Sequence, residues 1–222
     1  ENRLAELIQI QGRAGERWTV DGIKLMFDGT IDNGTAWLYE PDTLGESKSS
    51  LWDEPGRYAD AVRKINAAGI ATATHAIGDN AVGYVARCLA ALPDTGARHK
   101  IEHIELLEDA DLQIMATAGI AASMQPEHCT HYLYPDNSDI WSVRLGPNRT
   151  KRGFRWADVK RAGVTLALGS DWPTAECDAR QIFASACLRR PASSKASRIG
   201  RQRRASSSNA VSTSPAGRCG QG

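Results

Sequence analysis

The sequence predicts an α/β fold assembled from parallel strand–helix–strand units, and two observations carry the prediction. Five short β-rich runs recur at residues 20–27, 71–75, 99–104, 120–124 and 164–168, and helical periodicity fills most of the intervals between them. Strands alternating with helices at this rhythm are the mark of βαβ units and a parallel sheet. The chain has 222 residues, 41% of them hydrophobic, enough to bury a sizeable core as one domain.

The elements follow in order. The chain opens in what reads as the middle of a helix, before the run at 20–27. Tyr58, Ala61, Val62 and Ile65 then take helical spacing, and Gly69 is a stop ahead of the second run. Val82, Val85, Leu89 and Leu92 form the next helical face, with Asp79 expected as its cap and Pro93 at its end. Leu112, Met115 and Ala118 form a third, closed by Gly119, and residues 151–162 a fourth, closed by Gly163. Two segments, 28–56 and 125–149, read as long loops, and loops of that length in a compact domain are usually functional or disordered. His75 and His103 are 28 positions apart, close to the roughly 31 residues of one unit in a barrel of about 250. Five strands cannot close an eight-stranded barrel, so periodicity leaves a doubly wound open sheet as an alternative.

Charge divides the chain into two parts. There are 27 basic and 26 acidic residues, but eight of the basic ones and none of the acidic fall in 188–222, leaving 19 against 26 in residues 1–187. The body, 1–187, is therefore an acidic domain, and 188–222 a basic Ser/Arg-rich tail without apolar periodicity, expected to be disordered. Its Arg, Ser, Ala, Pro and Gly are also what out-of-frame codons of a GC-rich gene favour, so a frame-shifted origin is preferred to a natural basic arm. The five cysteines are scattered, with no CxxC pair, which fits a reducing compartment and a cytoplasmic location. No run approaches the roughly 18 apolar residues of a membrane helix, so no membrane partner is expected.

The residues able to do chemistry sit at strand ends. His75 closes the second run, His103 the third, and Asp171 follows the fifth in Gly169-Ser170-Asp171-Trp172-Pro173. Singly, each has an ordinary structural explanation. Three such residues at equivalent positions of successive units would converge at one end of a parallel sheet. Two imidazoles and a carboxylate suit zinc or a similar divalent ion. Lys24 lies inside the apolar run Gly22–Phe27, where a free ammonium is costly to bury unless it faces outward. Glu102 alternates with His103, so it is expected to point toward the helix layer and to be structural.

At this point the sequence resembles the amidohydrolase superfamily, in its family-3 group of N-substituted formamide deformylase-like metal-dependent hydrolases. The segments that carry the resemblance are GIKLMFDGTIDNGTAWL (22–38), THAIGDNAV (74–82), KIEHIELL (100–107), AASMQPEH (121–128) and GVTLALGSDWP (163–173). The resemblance implies a partial TIM-like (β/α)8 barrel, about strands 4–8, lacking the first strands and the small β-domain. It implies a divalent-metal centre, zinc for preference, with one or two ions in the complete enzyme, held by Lys24, His75, His103 and Asp171. In such enzymes the strand-four lysine can be carboxylated and bridge two metals, and Asp171 would also move the proton of the attacking water. His128, His131 and Arg149, on or near the second long loop, are candidates to contact substrate.

The function expected is hydrolysis of a carbon–nitrogen bond in a small amide or formamide. The alternative is a non-catalytic truncated remnant, because the His-x-His pair of the family's first strand does not occur here. Nucleic acid is disfavoured as a partner by the acidic body and by a tail without interleaved aromatics. Nothing in the sequence sets an oligomeric state.

Overall fold

The computed structural model describes residues 2–189. Helix α1 (Asn2–Gln9) leads into a short antiparallel hairpin, β1 (Ala14–Gly15) and β2 (Trp18–Thr19). Strand β3 (Ile23–Met26) follows, then an irregular excursion to α2 (Pro55–Ala67), β4 (Thr72–Ala76), α3 (Asp79–Ala90), β5 (Lys100–His103) and α4 (Asp109–Ala118). The remainder is β6 (Ala121–Met124), α5 (Pro126–Tyr132), α6 (Ile140–Arg149), a 3₁₀ turn over Thr150–Arg152, α7 (Trp156–Arg161), β7 (Leu166–Leu168) and α8 (Ala179–Leu188). The basic tail beyond Arg189 lies outside the described residues.

Strands β3 to β7 form one sheet in strictly sequential order, each parallel to the next. A doubly wound sheet reverses its strand order at a switch point, whereas a (β/α)8 barrel never does. The order therefore selects between the two architectures that periodicity left open. It is that of a partial TIM-like barrel. Registers such as Thr74↔Ile101 and Ile101↔Ala122 set one face of the sheet against the helices. That side holds the core, where Ile101, Val82, Val85, Met115 and Ala122 are buried.

Several expectations need correction. The helix predicted over 151–162 is cut at Gly153-Phe154, where Gly153 bridges to Leu106 and the Phe154 amide donates to the Glu105 carbonyl at 2.8 Å. Phe154 is buried at positive φ (51°), so tertiary pairing overrides local helix propensity there. Segment 125–149 contains two helices rather than a loop. Pro126 starts α5, and Asp139 caps α6 by accepting from the Ser142 amide at 2.8 Å. The cap of α3 is Gly78, not Asp79, which is the first helical residue; its carboxylate accepts from the Tyr39 amide at 2.9 Å and so pins the long excursion.

Segment 28–56 is irregular yet tightly organised. Buried Asp28 accepts from the amides of Ile77 (3.0 Å), Gly78 (2.9 Å) and Trp37 (2.9 Å), which sews the start of the excursion to the end of β4. Asp42 accepts from the Leu44 and Glu46 amides, the Ser47 hydroxyl and Arg144. Phe27 stacks on Tyr84 (centroids 5.2 Å) and meets Tyr58 edge-on (4.8 Å), carrying the core under the loop.

Candidate functional site

The site forms at the C-terminal ends of β4 and β5. Parallel register aligns Lys24 with Ala73 and His75 with Glu102, on the sheet face away from the helices. His75 leaves that face 7% exposed, with its Nε2 3.1 Å from the Gly29 carbonyl and 3.8 Å from Asp28 Oδ1. His103 arrives differently. Strand alternation would place it with Ile101 against the helices, but His103 (φ 77°) and Ile104 (φ 51°) both take left-handed backbone. The turn is held where Ile104 donates to the Ala76 carbonyl and Leu106 to that of Ile77, each at 3.1 Å. Left-handed backbone at a β-branched residue is strained, and persists only where the surroundings over-determine it. The result is a pair of buried imidazoles with ring centroids 4.4 Å apart at 61°.

Their protonation follows from burial. Desolvation lowers the His75 pKa against the opposing Gly29 contact, and desolvation together with neighbouring His75 and Lys24 carries His103 down to about 2. Both rings are neutral near pH 7, the form that ligates metal. Among the described residues His103 Nδ1 is buried without a hydrogen-bond partner, a donor atom left for something else.

Lys24 and Glu102 both depart from expectation. Glu102 lies on the same face as Lys24, not toward the helix layer, and the two form an ion pair. The Lys24 side chain is 43% exposed, so it bears only part of the cost expected of a buried free ammonium. Burial lowers its pKa, with the charge of Asp171 opposing the shift. Asp171 is exposed in the turn after β7, at φ 56°.

The donor chemistry fits a divalent ion in part. Two neutral imidazoles face each other, one with an orphaned nitrogen. Among the described residues, however, no three His, Cys, Asp or Glu side chains stand close enough to hold an ion. His75 and His103 are thus two neutral nitrogen donors side by side, without a third such side chain among the described residues.

Beside them lies a cavity of about 220 Å³, which His75, His103 and Asp171 line together with Glu105, His128 and Trp141. His128 stacks near-parallel to His103 with centroids 5.9 Å apart, and its buried Nε2 has no hydrogen-bond partner among the described residues. His131 does not line the cavity; it is one turn further along α5, with its Nε2 3.7 Å from Glu127. Nor does Arg149, whose guanidinium donates to the carbonyls of Leu145 and Glu40 at 2.8 Å. Of the three residues proposed for substrate, the structure brings one to the pocket. Glu105, Asp32 and Asp28 escaped the sequence reading. Glu105 could have been found from its place two residues past His103 in KIEHIELL, and Asp28 and Asp32 from theirs in the 22–38 segment.

Several known proteins are similar to this chain in sequence or fold. The amidohydrolase family matches residues 2–219. Protein LONG AFTER FAR-RED 3 of Arabidopsis thaliana is 28% identical over 198 residues, covering 86% of this chain and 33% of that protein. YtcJ of Bacillus subtilis (strain 168), named as an amidohydrolase, is 30% identical over 188 residues, covering 82% of this chain and 34% of YtcJ. The chain thus spans about a third of the length of these curated relatives. An uncharacterized metal-dependent hydrolase from Pyrococcus horikoshii superimposes with a TM-score of 0.72 at 26% identity, over 85% of this chain and 38% of that one. One from Pyrococcus furiosus gives 0.68 at 26%, over 83% and 37%.

Proposed function

Because the chain belongs to the amidohydrolase family, in its family-3 group, we propose that it supplies one side of the metal centre of a hydrolase of non-peptide carbon–nitrogen bonds, with a small amide or formamide as substrate. The observation that carries the reading is the pair of neutral, buried imidazoles at the ends of adjacent parallel strands, opening on a cavity of their own. A divalent ion, zinc for preference, would supply Lewis acidity toward a carbonyl oxygen. His75 and His103 would hold it, and Asp171 and, once its amine is carboxylated, Lys24 are the further ligands we assign. Asp171, which lines the cavity, would take a proton from water and return it to the departing nitrogen. His128 is the contact to substrate that the geometry favours; His131 and Arg149 stand outside the pocket.

The test is amine release from N-alkylformamides by the full chain with Zn²⁺ or Co²⁺. We expect release that a chelator stops and that His75→Ala, His103→Ala and Asp171→Asn each abolish. Release that survives the chelator or the His103→Ala change would overturn the reading. A second reading, a non-catalytic segment, is favoured by the missing third ligand among the described residues. It predicts metal binding through the two histidines with no release from any amide.

A further inference from the structure

We propose that Glu105 makes this cavity selective for small amides carrying a protonated amine, a specificity that rests on the cavity being the substrate pocket assigned above. Glu105 is 7% exposed, and its position is fixed from two sides. Its carbonyl accepts the Phe154 amide at 2.8 Å, and its Oε2 accepts the Trp141 indole N–H at 2.8 Å. Its other oxygen is 3.8 Å from His128 Nδ1, beyond hydrogen-bond range. A carboxylate offers about four acceptor sites, and the Trp141 indole takes one of those of Glu105, which lines the cavity. A cationic N–H donor from a ligand would complete it with a short, charge-assisted bond.

The rest of the lining agrees. Asp32 and Asp171 also face the cavity, and among the described residues neither lysine nor arginine lines it. Arg144, near Asp32, spends its guanidinium on Asp42, Glu46 and the Asp32 carbonyl. An ammonium in the cavity would therefore face acidic side chains and, among the described lining residues, no basic Lys or Arg. Trp141, Phe154 and Leu133 supply apolar wall for the ligand's carbon skeleton. At about 220 Å³ the space falls below the roughly 300–1,000 Å³ of drug-sized pockets, so the ligand is small.

The experiment uses the full chain stripped of metal and three size-matched probes: cyclohexylammonium, cyclohexanol and cyclohexanecarboxylate. The reporter is the Trp141 indole N–H resonance, assigned with Trp141→Phe, because that proton is donated to Glu105. Cyclohexylammonium should shift it saturably, with cyclohexanol weaker by about tenfold or more, the worth of a hydrogen bond to a charged group. The carboxylate should not bind. Glu105→Gln, which keeps an acceptor for Trp141 but loses the charge, should bring ammonium affinity down to that of the alcohol. Equal binding of the three probes by the unaltered chain would overturn the proposal without any variant, as would unchanged ammonium binding by Glu105→Gln. With no metal or turnover involved, a failure here is separate from a failure of amide hydrolysis.

Discussion

At the scale of single residues, backbone geometry does what side-chain pattern cannot. His75 reaches the site by ordinary strand alternation, which is why the sequence revealed it. His103 reaches it through two successive left-handed residues, and no periodicity encodes that turn. The same reversal explains the misplacement of Glu102: alternation was applied through a position where alternation had stopped. Gly78 shows a tighter constraint. A Cβ there would stand 2.2 Å from the Trp37 carbonyl, which already accepts the Ala81 amide at 3.1 Å. Gly78→Ala should therefore cost about 1–3 kcal/mol, as overpacking against fixed backbone does, measured by urea denaturation. Lys24 makes the opposite prediction. Its ion pair with Glu102 is half exposed, so Lys24→Met should change stability by no more than about 1 kcal/mol in the same assay. A larger loss would mean that Lys24 serves the fold rather than the site.

Among the elements, strands were more legible than helices. β3, β5, β6 and β7 lie within their β-rich runs, and β4 overruns its own by Ala76 alone, because buried parallel strands are short apolar runs wherever they occur. The helices of 125–149 were hidden by prolines that read as loop signals yet sit at helix starts or kinks, as Pro126 does in α5 and Pro147 beyond Gly146 in α6. The excursion 28–56 has no regular structure to stabilise it, so its polar hubs must. Burial alone would raise the Asp42 pKa, but the amides of Glu46 and Leu44, the Ser47 hydroxyl and Arg144 together lower it. A carboxylate depressed in the folded state gives stability that is present above its unfolded value of about 3.9 and is lost as pH falls through the folded value. Asp42→Asn should cost about 1.5–3 kcal/mol at pH 7. The gap between variant and parent should narrow below about pH 4, where the carboxyl of the unfolded parent takes up its proton first, and close as pH falls through the lower folded value. A gap independent of pH would assign the effect to packing.

For the whole molecule, the sequential parallel order places the C-terminal ends of β3 to β7 at one rim, and His75, His103 and Asp171 collect there because they stand at or just after strand ends. Site position was therefore readable before the structure, from strand ends alone. Site completeness was not, since it depends on which side chains meet in space. The described residues hold an imidazole pair and a lined cavity without a third His, Cys, Asp or Glu ligand beside them, in a chain spanning about a third of its relatives' length. The central claim is that His75 and His103 act as one half of a metal centre. Co²⁺ titration of the full chain, followed through the imidazole resonances of all five histidines, tests it most directly. The account predicts that His75 and His103 respond together, at weak affinity, and that His75→Ala lowers that affinity by at least the roughly 10–100-fold seen when mere supporting groups are lost. Cobalt that binds elsewhere, leaving both resonances in place, would contradict it.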